Sequence, residues 1–186
     1  RYNPAMPPDT PRSLPRSLHV IGGVGLGGAE RFYIRLVNAL HRHGAPVAAV
    51  TTAGGGIAAG IAPEVPHYHA PQGFNWDPYS RWKIRRAIAD FRPDIVQTYM
   101  GRATRIVHLP AGRLPLHVAR LGGYYNLKSY RHAHAWVGNT QGILDYLLGQ
   151  GLPRDRCAHI GNFADVPGPV DPARLAELRR ALGLAE

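Results

Sequence analysis

Short apolar runs alternate along the chain with stretches in which apolar residues recur every three or four positions. Leu18, Val20 and Ile21 form a run of one strand's length over Ser17–Ile21, and Gly22, Gly23, Gly25, Gly27 and Gly28 follow at once. Phe32, Leu36 and Leu40 then share one helical row, with Tyr33 and Val37 beside it, and Gly44 and Pro46 stand where a helix ends. Further strands are expected over residues 46–52, 65–70, 95–99, 116–121 and 135–138, with a last one closing near Gly161. Between the second and third, AGGGIAAGIAPEV reads as a flexible, small-residue loop. Helices are expected over residues 78–91, from Gly101 and Arg102 onward, from an Asn139–Thr140 cap to Gly149, and over 172–182. In the helix over 78–91, Ile84, Ile88 and Phe91 face inward while Arg81, Arg85 and Arg86 face solvent. Strands and helices in alternation predict an α/β fold, a doubly wound, mainly parallel Rossmann-like sheet with helices on both faces.

A length of 186 residues suits one such domain with a proper core rather than two large ones. Residues 1–16, rich in proline and without an apolar run, read as a disordered lead-in and not as a signal peptide. The domain is expected over 17–165, and VPGPVD starts a linker and helix over 166–186. No run reaches transmembrane length. The chain opens on Arg1 instead of Met, which suggests a trimmed piece. Its one cysteine, Cys157, rules out an internal disulfide and fits a reducing compartment.

Charge changes the picture more. The net charge is +10, carried almost wholly by arginine, Lys83 and Lys128 being the only lysines. A basic surface points to phosphorylated ligands, anionic lipid or nucleic acid, although a codon bias toward arginine gives the same composition.

The glycine-rich turn offers specific chemistry. Glycines let the backbone approach a ligand closely, and the first N–H groups of the following helix attract an anion, most often phosphate. Gly23-x-Gly25-x-x-Gly28 matches the dinucleotide fingerprint, but no acid occurs between Glu30 and Glu64 to hold a ribose. No Gly-Lys pair supports a Walker loop. A turn that only packs helix on strand stays open beside the phosphate reading. His41/His43 cannot share a helix face, and neither His67/His69 nor His132/His134 is joined by a nearby cysteine, so no metal is expected. No Gly-x-Ser-x-Gly elbow occurs.

Three blocks carry a family resemblance. Gly27-Gly28-Ala29-Glu30 with the helix after it, the stretch RPDIVQTYMGRATRI, and AWVGNTQGILDYLLGQGLPRDRCAHIGNFAD together resemble the N-terminal, acceptor-side half of retaining GT-B glycosyltransferases of family 4. The likeness runs over about residues 18–186. It implies one half of a GT-B fold, with the nucleotide-sugar bound mainly by an absent C-terminal domain. It places Gly25, Gly27 and Gly28 by the donor diphosphate, and Glu30, Gln97, Arg102, Gly123, Tyr124, Tyr125 and Asn139 along the acceptor cleft. Where the family writes His-x-His, this chain has Gln97 and Tyr99, which makes Tyr99 the candidate catalytic residue. In the last block Asn162 and Asp165 remain while the family's proline and glycine are lost. The implied activity moves a sugar from a nucleotide-sugar to a carbohydrate or lipid-linked acceptor in cell-envelope glycan or lipopolysaccharide synthesis. It requires no cofactor, no metal and no nucleic acid. The implied location is cytoplasmic, with possible attachment to the anionic inner face of the membrane, and this piece alone is expected to be inactive. A non-catalytic domain for nucleic acid or an anionic polymer is the alternative, and an NAD-dependent oxidoreductase the third.

Overall fold

The computed structural model describes residues 14–74, 76–164, 168 and 171–184. The lead-in expected over 1–16 lies outside these up to residue 13, as do Asp165 and most of the expected linker at 166–171.

Seven strands form one sheet: β1 (Ser17–Ile21), β2 (Val47–Thr51), β3 (His67–His69), β4 (Ile95–Tyr99), β5 (Leu116–Leu121), β6 (Ala135–Gly138) and β7 (Cys157–His159). Every pair is parallel, in the order β3-β2-β1-β4-β5-β6-β7. Among the described residues six α-helices accompany them: α1 (Gly28–Arg42), α2 (Gly55–Ala59), α3 (Pro78–Phe91), α4 (Met100–Ile106), α5 (Gln141–Gly149) and α6 (Pro172–Ala181). The fold is the α/β, Rossmann-like one that the alternation implies.

Alternate residues of each central strand feed two cores. Leu18, Val20, Ala48, Val50 and Val96 pack under α3 and α4 through Ile84, Ala87, Phe91, Ala103 and Ile106. Ile21, Val47, Ala49 and Tyr99 point the other way, under Phe32, Tyr33 and Val37 of α1 and Ile57 of α2. Ala119, Leu121 and Trp136 continue the first face beneath α5. Helix starts follow their caps: Asp77 accepts from Ser80 N ahead of Pro78 in α3, and Thr140 accepts from Ile143 N in α5.

The stretch read as a flexible loop between β2 and β3 holds α2 instead. Ile57 is fully buried there, and the glycines let the helix press close, since a Cβ on Gly60 would stand 2.8 Å from Ile34 Cδ1. Apolar anchorage outweighs the poor helix propensity of glycine over a single turn. Helix α6 is exposed along its whole length.

His132 and His134 join a larger cluster at the amino ends of β5 and β6. The His132 ring stacks on His108 at 3.8 Å and lies 5.4 Å from His117, while His134 Nδ1 accepts from His117 N. His117 is buried, with Nε2 2.9 Å from Thr98 Oγ1 and Nδ1 unpartnered. Burial first, then His132, His134 and His108, pushes its pKa down to about 3. Burial, His132, Arg81 and Arg85 also lower that of His108. On the opposite face, burial lowers His19 to about 4.

An unfolded histidine binds its proton near pH 6.5, whereas His19 and His117 stay neutral in the fold until far lower pH. Below about pH 6.5 the unfolded state therefore gains protons that the folded state refuses, and stability falls as pH falls, by about 1.4 kcal/mol per pH unit for each such histidine. Urea titrations from about pH 7.5 to about pH 5 should show the midpoint dropping steadily, and His117→Gln should make that drop shallower. A midpoint constant across this range would contradict the assignment.

Candidate functional site

Strand order reverses between β1 and β4: the connection from β1 runs outward to β2, that from β4 outward to β5. Their helices leave on opposite faces, α1 in one core and α4 in the other, so the carboxyl ends of the two strands open into a crevice. The loops around it are firmly set. Gln72, fully buried and in the left-handed region at φ 51°, donates from Nε2 to Ile21 O at 2.8 Å and from its backbone N to Ser80 Oγ. Arg102 Nη1 donates to Gln72 O at 3.3 Å. A Cβ on Gly22 would lie 2.9 Å from Gln72 Oε1, so this close approach requires glycine.

Gly27 is the N-cap of α1, and Glu30 folds back over it, its Oε2 2.7 Å from where a Gly27 Cβ would sit. Around Gly28 a Cβ would meet nothing within 4 Å. The first turn of α1 thus presents bare backbone, with donors that lack intrahelical acceptors.

Gly28, Ala29 and Phe32 of α1 form one side of a cavity of about 270 Å³. Tyr99 and Met100 meet them from β4 and α4, and Gly122, Tyr125 and Asn139 line the side of β5 and β6. Arg120 and Asn162 complete it. Met100 is held at φ 63°, an unfavourable backbone for a side chain of its size, at the point where β4 turns directly into α4. Tyr125 stacks on Tyr130 at 5.9 Å. Asn139 Oδ1 is buried with no hydrogen-bond partner. Arg120, 6% exposed, donates from Nη2 to Ile160 O at 3.0 Å and Asn162 Oδ1 at 2.8 Å, and its guanidinium carbon lies 4.2 Å from the Phe32 ring centre.

Behind the cavity runs a line of polar groups. Gln97 Nε2 donates to the Tyr99 hydroxyl at 2.6 Å, and that hydroxyl lies 2.8 Å from His19 Nδ1. With the amide donating, the phenolic proton goes to His19 Nδ1, and Nε2–H faces Ser17 Oγ at 3.1 Å. Tyr33 meets Tyr99 edge-on at 5.1 Å and donates to His19 O. Burial drives the Tyr99 phenol well above its ordinary pKa, so near neutrality it remains a protonated hydroxyl already engaged on both sides. It forms a rigid floor and is no base.

Of the residues singled out from the sequence, Gly28, Tyr99, Tyr125 and Asn139 converge on the cavity. Gly25, Gly27 and Glu30 stand in the loop and first turn that lead to it. Gln97 lies behind Tyr99 and lines a second, mainly apolar groove beside α1, which shares Phe32 and Arg120 with the cavity. Arg102 is engaged with Gln72, Gly123 packs near Tyr125, and Tyr124 is 69% exposed against Tyr146. Arg120, Phe32, Met100 and Gly122 were not singled out as site residues. The one available signal was an arginine near the carboxyl end of the strand 116–121.

The model of Glycosyltransferase Family 4 matches residues 26–166. Over 158 residues the chain is 30% identical to the lipopolysaccharide core biosynthesis glycosyltransferase LpsD of Rhizobium meliloti (strain 1021), covering 82% of this chain and 44% of LpsD. Its fold is similar to a glycosyltransferase of Rickettsia africae ESF-5 (TM-score 0.70, 17% identity, 93% of this chain and 50% of that one). It is likewise similar to Anabaena Alr3699/HepE, crystallised with UDP and glucose (TM-score 0.67, 15% identity, 91% and 50%). The chain spans about half the length of these relatives.

Tyr99→Phe would strand His19 Nδ1 and the Gln97 amide without their shared partner, at a cost of about 1–3 kcal/mol. Urea denaturation should report that loss. An unchanged midpoint would mean that the hydroxyl does not hold this network.

Proposed function

Because this chain belongs to glycosyltransferase family 4, we propose that it is the N-terminal, acceptor-side half of a retaining enzyme that transfers a sugar from a nucleotide-sugar. The observation that carries the reading is the bare first turn of α1, open at Gly28 onto a polar cavity at the point of strand reversal. In the reaction the bond between the sugar's anomeric carbon and the diphosphate breaks. A bond to an acceptor hydroxyl oxygen forms on the same face, its proton is released, and the nucleoside diphosphate departs. The loop at Gly25, Gly27 and Gly28 lies where N–H groups and the helix dipole favour the charge that develops on the diphosphate. Glu30, turned back over Gly27, opposes that charge, so further positive groups must come from the other half of the enzyme. The acceptor occupies the cavity, against Tyr125 and Asn139, with Tyr99 as its floor. The isolated chain is inactive in this reading because it supplies only one side of the donor site.

The likeness to LpsD favours an acceptor in lipopolysaccharide or a related envelope glycan, met at the inner face of a membrane. Among the described residues no helix is long and apolar enough to cross a bilayer. A surface suited to lie on one is present. Phe74, Trp76, Tyr79 and Trp82 are all at least half exposed, two of them among the chain's three tryptophans. Tyr79 stacks on Trp82, Lys83 Nζ lies 5.5 Å from the Tyr79 ring, and Arg86 lies 5.7 Å from that of Trp82. Aromatic rings among cations suit the headgroup region of an anionic leaflet.

Gly28→Val should leave the thermal transition in place, since its Cβ has free space, yet sharply lower nucleotide-sugar turnover in the complete enzyme. Unchanged turnover in the folded variant would remove the loop from the donor site. Separately, the chain should sediment with anionic vesicles at low salt and much less with neutral ones, and Trp82→Ala should weaken that binding. Equal sedimentation with both vesicle types, or none, would argue against the membrane surface.

A further inference from the structure

The cavity holds a cation, Arg120, that no carboxylate among the described residues balances. Arg120 is more than nine-tenths buried, yet among the described residues no carboxylate lies within salt-bridge distance of it. Burial lowers its affinity for the proton, and the groups it touches are a carbonyl, an amide oxygen and the Phe32 ring. A buried charge kept only as a strut is a poor bargain, since apolar residues of similar volume hold strands together at least as well. Nor is the strut complete. Only Nη2 has protein acceptors, while Nε and Nη1 donate to no described residue and are not sealed from solvent. A guanidinium with donors left over on a planar edge matches a carboxylate or a phosphate. Across the same cavity stand Asn139 and Tyr125, an amide and an aromatic ring of the kind that line sugar sites. A volume of about 270 Å³ suits one sugar ring better than a nucleotide.

We propose that Arg120 binds an anionic group, carboxylate or phosphate, on the acceptor sugar, so that the enzyme selects an acidic or phosphorylated sugar over a neutral one. This rests on the acceptor being seated in the cavity. The shared chemistry has a second source, the donor's own diphosphate at the adjoining α1 N-terminus, and the two can be separated.

The test uses the chain itself, following the backbone amide resonances of Gly28, Gly122 and Asn139 by NMR. The probes are glucuronate, glucose 6-phosphate, methyl glucoside and pyrophosphate. At least one of the two charged sugars should bind about tenfold more tightly than the neutral glucoside, a difference readable at millimolar concentrations. Arg120→Gln should erase that preference while leaving the weak binding of the glucoside in place, and Arg120→Lys should keep part of it. Wild-type binding that ignores charge would overturn the proposal, as would a preference that survives in folded Arg120→Gln. So would an effect of that substitution confined to pyrophosphate, which would hand the anion to the donor. Should Arg120→Gln lose its thermal transition, the wild-type comparison and Arg120→Lys decide. Sugar transfer by the complete wild-type enzyme tests the transferase reading on its own, so either idea can fail without the other.

Discussion

Everything at the site depends on two neighbouring strands sending their chains in opposite directions. β1 and β4 pair in register from Ser17↔Ile95 to Ile21↔Tyr99, yet α1 and α4 cover different faces. No connection can therefore close over their carboxyl ends, and a gap is left whatever side chains occupy it. Around that gap the chain puts polar backbone, glycine and two residues with left-handed backbone, Gln72 and Met100. Strain there is affordable because the flanking strands are anchored in two cores that hold the backbone from both sides.

The floor of the gap shows how a buried polar network becomes rigid. Gln97, Tyr99, His19 and Ser17 hand hydrogen bonds along one direction, and Tyr33 locks the line from α1. Each member satisfies its neighbour, so none is free to turn toward a ligand without stranding another. That explains why the tyrosine at the carboxyl end of β4 serves as support. Arg120 breaks this rule of satisfaction, as does Asn139, and both do so inside the cavity.

Helix α3 illustrates a different division. One side buries Ile84, Ala87 and Phe91, and the other carries Tyr79, Trp82, Lys83 and Arg86 at spacings of three and four residues. From the sequence its arginines read as an ordinary solvated face. The ring contacts of the folded helix, Tyr79 stacked on Trp82 with Lys83 and Arg86 over them, make that face aromatic as well as basic.

By itself the sequence determined the layered α/β fold, because period-two and period-3.6 apolar patterns are local and each leaves a face that must be covered. The bounds of α3 and the glycine turn before α1 were legible for the same reason, and the order of three sequence blocks carried the resemblance to family 4. It also marked Gly28, Tyr125 and Asn139, which lie at element ends where the chain must turn. It missed α2, whose one buried isoleucine, Ile57, sits among glycines that signal a loop, and it could not judge Arg120. Which way a strand arginine points, and whether an acid waits for it, depends on residues 40 or more positions away at Ile160 and Asn162. Direction decided Tyr99 too. Tertiary packing set its hydroxyl against His19, a neighbour that β-pairing supplies from 80 residues earlier in the chain. Local pattern governs which elements form; the partners of a buried polar atom are set only when distant strands meet.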